Sequence, residues 1–535
     1  MTRFRLWAPA CTHVGLDVTG NVITMPQIMD GWFDVEADAS VGARYRFLIG
    51  EQAVPDPASR LQNEGWSVVT DPDAYPWTDG SWRGRPWEET ILYELHVGLM
   101  GGFQGVEDRL AALAELGITA IELMPIAQFP GIRNWGYDGV LPYAPARAYG
   151  SPDDLKRLVD RAHALGLMVF LDVVYNHFGP DGNYLPLYAP DFFREDRHTP
   201  WGAGIDFRKE QVRRFFIDNA LYWVNEFHID GLRLDAVHAI DDNEFLVELV
   251  DSVRAAAPER YVHVVVENER NDAKLLAEGG IGQWNDDFHH AVHVLLTGES
   301  EGYYSEYADA PAQGLATSLS GKFIRERSSP GPELAPTAFV NFLQNHDHVG
   351  NRAFGERLIA LANEDALRAA IALLLLAPPI PLIFFGEETG AREPFLYFCD
   401  HVDAKLADAV RKGRRNEFTK FPEFQDPEKR AQIPDPNAPE TFERSRPHLD
   451  DGAEWRAFYK ELLDLRRTHI TPRLKGCTAE GAEVVGPKAV CATWRMGDGT
   501  RLTILTNLDR VPPSYVLPSA KPLWDRAGTR CWIEP

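Results

Sequence analysis

Asp235, Glu267 and Asp347 each stand at or just past the end of a short apolar run: Gly231-Leu-Arg-Leu-Asp235, His263-Val-Val-Val-Glu267 and Phe339-Val-Asn-Phe-Leu-Gln-Asn-His-Asp347. An acid at the C-terminal end of a parallel strand points into the mouth where (β/α)8 enzymes hold their substrates, and several acids converging there suit glycosidic bond cleavage. Cleavage with retention needs one ionised carboxylate to attack the anomeric carbon and one protonated carboxyl to donate to the leaving oxygen, about 5 Å apart. Arg233 lies two residues before Asp235, so in a strand both project to the same side. A charge-assisted hydrogen bond from Arg233 would keep that carboxylate ionised, which makes Asp235 the candidate nucleophile. Glu267 ends an apolar strand, where desolvation and the neighbours Asp235 and Asp347 favour its neutral form; it is the candidate general acid and base. Asp347 is expected to hydrogen-bond the hydroxyls of the reacting sugar, flanked by His346 and His177 as further donors.

Eight strand-like runs exist to position these groups. They are Ile91–Val97, Ala120–Ile126, Met168–Tyr175, Gly231–Ala236, Val262–Glu267, a weak sixth near Gln283–Phe288, Phe339–Asn345 and Ile380–Gly386. Helical patterns such as Glu107–Leu116 and Pro152–Leu165 alternate with them, as βαβ units and a parallel barrel require. The fold class expected is therefore α/β: a (β/α)8 TIM barrel over residues 86–474, with a β-sandwich of immunoglobulin-like, carbohydrate-module character at 1–85 and a small β-domain at 475–535. The flanking assignments rest on short alternating runs such as Phe4–Trp7, Tyr45–Ile49, Ala489–Trp494 and Arg501–Thr506. A stretch rich in Gly, Pro, Asp and aromatic residues, about 176–207, interrupts the alternation after the third strand and reads as an excursion over the mouth. Charged, Pro-rich sequence from 411 to 451 reads as long loops and exposed helices, and the apolar run 371–385, broken by three prolines, as helix, loop and buried strand.

A chain of 535 residues with 44% hydrophobic and 25% charged residues has the composition of a globular protein with one large domain and appendages. Its formal net charge of −25 repels nucleic acid and anionic membranes, so a neutral substrate fits best. Five cysteines without a Cys-x-x-Cys pair indicate neither a disulfide framework nor structural zinc, and reduced thiols point to the cytoplasm. No apolar leader or membrane-spanning run is expected.

The runs Asp172-Val-Val-Tyr-Asn-His177, Gly231-Leu-Arg-Leu-Asp-Ala-Val-His238, Val266-Glu267 and Asn345-His346-Asp347, in that order, resemble the signature regions of the α-amylase superfamily of retaining α-glycosidases. Asn134-Trp-Gly-Tyr-Asp-Gly-Val140, Tyr175–Tyr184, His198–Gly202, Phe342–Asp347 and Pro394–His401 narrow the resemblance to its malto-oligosyltrehalose trehalohydrolase family. That resemblance implies the same three carboxylate roles and an α-glucan substrate capped by trehalose, within trehalose biosynthesis. It also implies functional pairing with a malto-oligosyltrehalose synthase that makes the cap. It makes Tyr137 the aromatic platform under the reacting sugar, Asp172 and Asn176 shapers of the loop after the third strand, and His238 a residue on the leaving-group side. Tyr184 and Trp201 are candidate substrate walls. No cofactor and no metal are assigned. A glycogen branching or debranching enzyme, or an inactive carbohydrate-binding barrel, are the alternatives.

Several residues carry weaker expectations. Trp135 reads as core, Glu122 as a structural ion-pair partner and Asp230 as a turn residue. Glu387-Glu388 reads either as part of the leaving-group subsites or as salt-bridge partners of Arg414 or Arg415. Thr389 and His348 stand where the family usually has an aromatic residue and glutamine, so the leaving-group subsites are expected to differ in detail.

Overall fold

The computed structural model describes residues 1–199, 202–325, 331–509 and 511–535; Trp201 lies outside the described residues. The central element is a closed, all-parallel barrel. Its strands are β1 (Leu92–Leu95), β2 (Ala120–Leu123), β3 (Met168–Val173), β4 (Gly231–Leu234), β5 (His263–Val266), β6 (Gly282–Trp284), β7 (Phe339–Phe342) and β8 (Ile380–Phe384). Every strand pairs with its sequence neighbour, and β8 closes on β1. Side chains alternate along a strand, and those facing inward fill the barrel: Leu92, Met168, Phe170, Val265, Trp284 and Phe342 belong to one packed interior cluster. Glycine begins β4 for a steric reason. A Cβ on Gly231 would lie 2.4 Å from the Phe170 ring, so only glycine lets that ring occupy the barrel centre.

The helices are fixed by ordinary end signals. Helix Pro152–Ala164 starts with Ser151 and Asp154 in a reciprocal capping box and proline in its first turn, and it buries Leu155, Leu158, Val159 and Ala162. The sixth unit departs from expectation. Only Gly282–Trp284 is strand; Asn285 then caps helix Asp286–Thr297, its side chain accepting from Phe288 N, so the acidic half of the expected run opens a helix. The segment after β3 is also more regular than expected, with a short helix Leu185–Tyr188 and a hairpin, Phe193–Thr199 against Gly202–Ile205.

At the N-terminal end, Thr2–Trp7 pairs with Trp32–Ala37, and a six-stranded antiparallel sheet is built around Val14–Val18 and Arg44–Ile49. Phe4 of the first sheet meets Tyr45 of the second edge-on, with ring centroids 4.8 Å apart. Trp7 packs on Phe192, and Ala10 N donates to Tyr188 O, so these sheets brace the segment after β3. The connection into the barrel is pinned from below. Asp79 contacts His163 and His228 at 2.8 Å each, and the other ring nitrogen of His163 contacts Asp230 at 2.8 Å. Asp230 also accepts from Trp82 Nε1 and Val169 N, and it is fully buried.

Five antiparallel strands, Thr478–Gly486, Ala489–Arg495, Arg501–Asn507, Trp524–Arg526 and Thr529–Glu534, form the C-terminal sheet. Between it and the barrel the charged segment supplies helices Ala404–Glu417, Pro427–Ala431 and Pro439–Arg444. Among the described residues all five cysteines are free thiols, and no helix is long and apolar enough to cross a membrane.

Candidate active site

Arg233, with no solvent exposure, is the hub at the C-terminal end of the barrel. Its Nη1 donates to Asp172 Oδ2 at 2.7 Å and to Asp235 Oδ1 at 2.8 Å, and its Nη2 donates to Glu267 Oε2 at 2.7 Å. The face of the guanidinium rests on the Trp284 ring, 4.1 Å from its centroid. Strand parity explains the convergence. Asp172 pairs with Arg233 across β3 and β4, and Arg233 pairs with Val265, so Asp235 and Glu267, each two residues beyond, face the same mouth.

The two carboxyls either side of this guanidinium are driven apart. Burial pushes Asp235 up, but Arg233, with His177 and the Asn176 amide donating at 2.7 Å, more than offsets this and holds it below the ordinary range. Burial pushes Glu267 far up; Arg233 opposes the rise, and Asp235, Asp347 and Asp286 add to it. Asp172 is raised to about 6 by burial, against the pull of Arg233. Ala236, between nucleophile candidate and helix, takes φ 42°, a left-handed conformation that turns its N–H onto Glu267 Oε2 at 3.0 Å. Two carboxyls biased in opposite directions on one guanidinium match the pairing a retaining displacement requires.

Tyr137 sits on the turn Asn134–Asp138, where Gly136 adopts φ +110° and a Cβ would meet Pro125 O at 2.1 Å. Its hydroxyl donates to Asp172 Oδ2 at 2.6 Å and lies 2.8 Å from His346 Nε2, while the two rings stack with centroids 5.0 Å apart. His346 Nδ1 contacts Glu94 Oε1 at 2.5 Å. Burial opposes protonation, but Asp347 and Glu94 raise its pKa to about 9, so at neutral pH the ring is a cation. Asp347 is one-third exposed, 3.5 Å from His346 Nε2 and held by Asn351 Nδ2 at 3.2 Å. His177 Nδ1 lies 2.5 Å from Asn176 Oδ1 and its Nε2 lies 3.0 Å from Tyr137 O, so its ring braces the platform. His238, in the short helix Val237–Ile240, lies near Glu269, and burial lowers its pKa.

The α-amylase catalytic domain family matches residues 61–186, and a C-terminal domain family of unknown function, DUF3459, matches residues 477–530. A malto-oligosyltrehalose trehalohydrolase of Saccharolobus solfataricus is 41% identical over 87% of this chain and 85% of its own length. The chain belongs to the malto-oligosyltrehalose trehalohydrolase family. A second member, from Deinococcus radiodurans, is 38% identical over 96% of this chain and 91% of that protein. A crystal structure from Salmonella typhimurium, described provisionally as an α-amylase, is 42% identical, covers 100% of this chain and 97% of that one, and superposes with a TM-score of 0.91.

This trehalohydrolase-family site contains groups that pattern reading missed. Glu94 on β1, which orients His346, lies 252 positions away from it in sequence, and its only sequence signal is an acid inside an apolar strand. Asp286 opens the helix after β6, near Glu267, and burial raises it to about 6. Its signal was available: it stands two residues past Trp284, as Glu267 does past Val265. Other expectations change. Among the described residues Glu122 has no ion-pair partner and neither oxygen of its buried carboxyl is hydrogen-bonded, and burial with Glu94 and Asp172 pushes it well up. Glu387 accepts from Gln344 and Tyr459, and Glu388 from Tyr93 and Gly386 N, while Arg414 and Arg415 bond elsewhere, so neither salt bridge forms. Thr389 is buried with its hydroxyl on Gly386 O, and Trp135 is core, as expected.

Proposed function

We propose that the chain is a retaining glycoside hydrolase that cleaves the α-1,4-glucosidic bond next to the terminal trehalose of a malto-oligosyl trehalose, releasing trehalose and a malto-oligosaccharide. The observation that carries the chemistry is the opposite bias of Asp235 and Glu267 on one guanidinium. The substrate follows from family membership.

Asp235, kept ionised, attacks the anomeric carbon while Glu267 passes its proton to the departing oxygen of the trehalose unit. A glucosyl ester on Asp235 results. Glu267, now a carboxylate, removes a proton from water, which attacks the same carbon and releases the malto-oligosaccharide with its α configuration restored. Arg233 holds both carboxyls in place, Tyr137 forms the floor under the reacting ring, and Asp347 with the His346 cation binds its hydroxyls as charge develops. Asp172 and Asn176 hold Arg233 and Asp235 rather than the sugar, and His238 lines the leaving-group side. We also infer three units, at 1–85, 86–474 and 475–535. The first acts as a brace for the segment after β3, supported by the Trp7–Phe192 contact. Four buried thiols suit a reducing cytoplasm, and a malto-oligosyltrehalose synthase is the natural source of the substrate.

The test is a parallel digestion of maltotriosyl trehalose and a plain malto-oligosaccharide of similar length. Trehalose released much faster than the plain chain is cut is the expected result. Cleavage or transfer on the plain chain without trehalose would move the enzyme to the amylase or branching side.

A further inference from the structure

Asp286 and Asp287 are adjacent acids with opposite employment. Asp287 is saturated by the frame: it accepts from Tyr307 OH at 2.6 Å, Ile324 N at 2.6 Å and Arg325 N at 3.2 Å. Asp286 makes one side-chain hydrogen bond among the described residues, to His348 Nε2 at 3.1 Å, and its side chain is 28% exposed. Its position is rigid. Asn285, just before it, caps the helix and spends its amide on Ser318 Oγ and Asn341 Oδ1, while its N–H bonds Val340 O. Its partner is rigid too, because the His348 ring lies flat on His289, with centroids 3.7 Å apart and planes 6° from parallel.

The barrel register places Asp286 in sequence with the reacting carboxyls. Trp284 faces the interior, directly under the Arg233 guanidinium. Residues two beyond an inward position at a strand end face the mouth, which is how Asp235 follows Arg233 and Glu267 follows Val265. Asp286 follows Trp284 in the same way, so β4, β5 and β6 each deliver one acid to the rim. The strand order β4, β5, β6 puts it beyond Glu267 on the side away from Asp235, and its charge is felt by Glu267 and by His238. A half-open carboxylate that the fold holds still, beside the group that protonates the leaving oxygen, is an acceptor for hydroxyls at the cleavage point.

We propose that Asp286, oriented by His348, is a substrate-binding carboxylate beside the general acid that accepts hydrogen bonds from hydroxyls of the departing sugar. It thereby contributes to choosing the glycosidic bond that is cut. His348 acts through Asp286 as a positioning residue: half-buried, and kept neutral by desolvation, it presents an Nε2 proton to one carboxylate oxygen and leaves the other for substrate. The inference rests on the reading of Glu267 as the acid. It does not rest on trehalose being the leaving group, since the same contact would serve any α-glucan.

The experiment compares the whole chain with its Asp286→Asn and His348→Leu variants on maltotriosyl trehalose, or on the plain malto-oligosaccharide if that is what the parent cuts. Kinetics are read as kcat/KM across pH. Wild type failing on maltotriosyl trehalose but cutting the plain chain overturns the substrate reading and leaves this comparison intact. Asp286→Asn keeps shape and removes one negative charge beside Glu267, so kcat/KM is expected to fall roughly tenfold to a hundredfold and the alkaline limb to move about one pH unit lower. His348→Leu is expected to give a smaller loss in kcat/KM with the limb nearly in place, because the charge remains. An Asp286→Asn enzyme with parental kcat/KM, or one that loses activity with the alkaline limb unmoved, overturns the proposal. Should Asp286→Asn fail to fold, His348→Leu decides alone: unchanged kcat/KM overturns it.

Discussion

Replacing Arg233 with lysine tests the electrostatic core of the site. The guanidinium makes three charge-assisted hydrogen bonds in one plane, to Asp172 at 2.7 Å, Asp235 at 2.8 Å and Glu267 at 2.7 Å. A lysine ammonium is a single point of charge and cannot span this fork, so two of the three contacts are lost. At about 1.5–3 kcal/mol for each such bond, the total is roughly 3–6 kcal/mol, divided between folding and the transition state. With half falling on catalysis, kcat/KM drops about tenfold to a hundredfold or somewhat more. The pH profile carries the sharper signature. Arg233 is the chief group keeping Asp235 ionised; a lysine ammonium keeps the charge but ends short of the fork and loses the hydrogen bond, so the Asp235 pKa rises and the acidic limb of kcat/KM moves to higher pH. The assay is trehalose release from maltotriosyl trehalose between acid and alkaline pH, with circular dichroism to establish that the variant is folded. A folded Arg233→Lys enzyme with kcat/KM within threefold of the parent and an unmoved acidic limb would refute the argument.

Glu267→Gln should lose the alkaline limb altogether, because the wild-type decline with rising pH reports deprotonation of a carboxyl that burial has raised, and an amide does not titrate. Activity on the natural linkage should fall about 10²–10⁴-fold, and less on an aryl α-maltoside whose leaving group needs no proton; a surviving alkaline limb would assign the acid elsewhere. The pin beneath the barrel should give a pH-dependent contribution to stability. Burial opposes ionisation of Asp79, yet His163 and His228 hold its pKa below the usual value, so its contribution is present above about pH 4 and fades as pH falls below that. Burial likewise opposes the His163 cation, yet Asp230 and Asp79 raise its pKa, so that contribution is complete below about pH 6.5 and fades as pH rises through the raised value. The Tm difference between wild type and Asp79→Asn should therefore peak between about pH 4 and pH 6.5, and a difference flat from pH 3 to 9 would contradict the ionic account.

The barrel was legible because its strands are buried on both faces and read as unbroken apolar runs ending in acids. Arg233 and Asp235 declared their shared face by a spacing of two. The sixth strand was faint because three residues suffice there, and the acids after it look like what they also are, the first turn of a helix. The platform was only partly legible. Tyr137, His346 and Glu94 form one stack and hydrogen-bond chain, yet they come from β1, the loop after β2 and the end of β7, and no periodicity links residues so far apart. Glu122 was misjudged for a different reason. A sequence marks a residue as polar and buried, but whether a carboxyl meets a partner depends on packing around it.

The sharing of Arg233 has a consequence for timing. In the proposed reaction Asp235 is an anion when the sugar arrives and an ester once the bond has been cut. While it is an anion it adds to the forces that keep Glu267 protonated, and it takes a share of the positive charge on Arg233. Esterification erases that negative charge and leaves the cation to Glu267, whose hold on a proton weakens at the moment it must stop donating and start accepting. Glu267 thus changes occupation halfway through each turnover without moving, and the signal that tells it to do so is the chemical state of its neighbour.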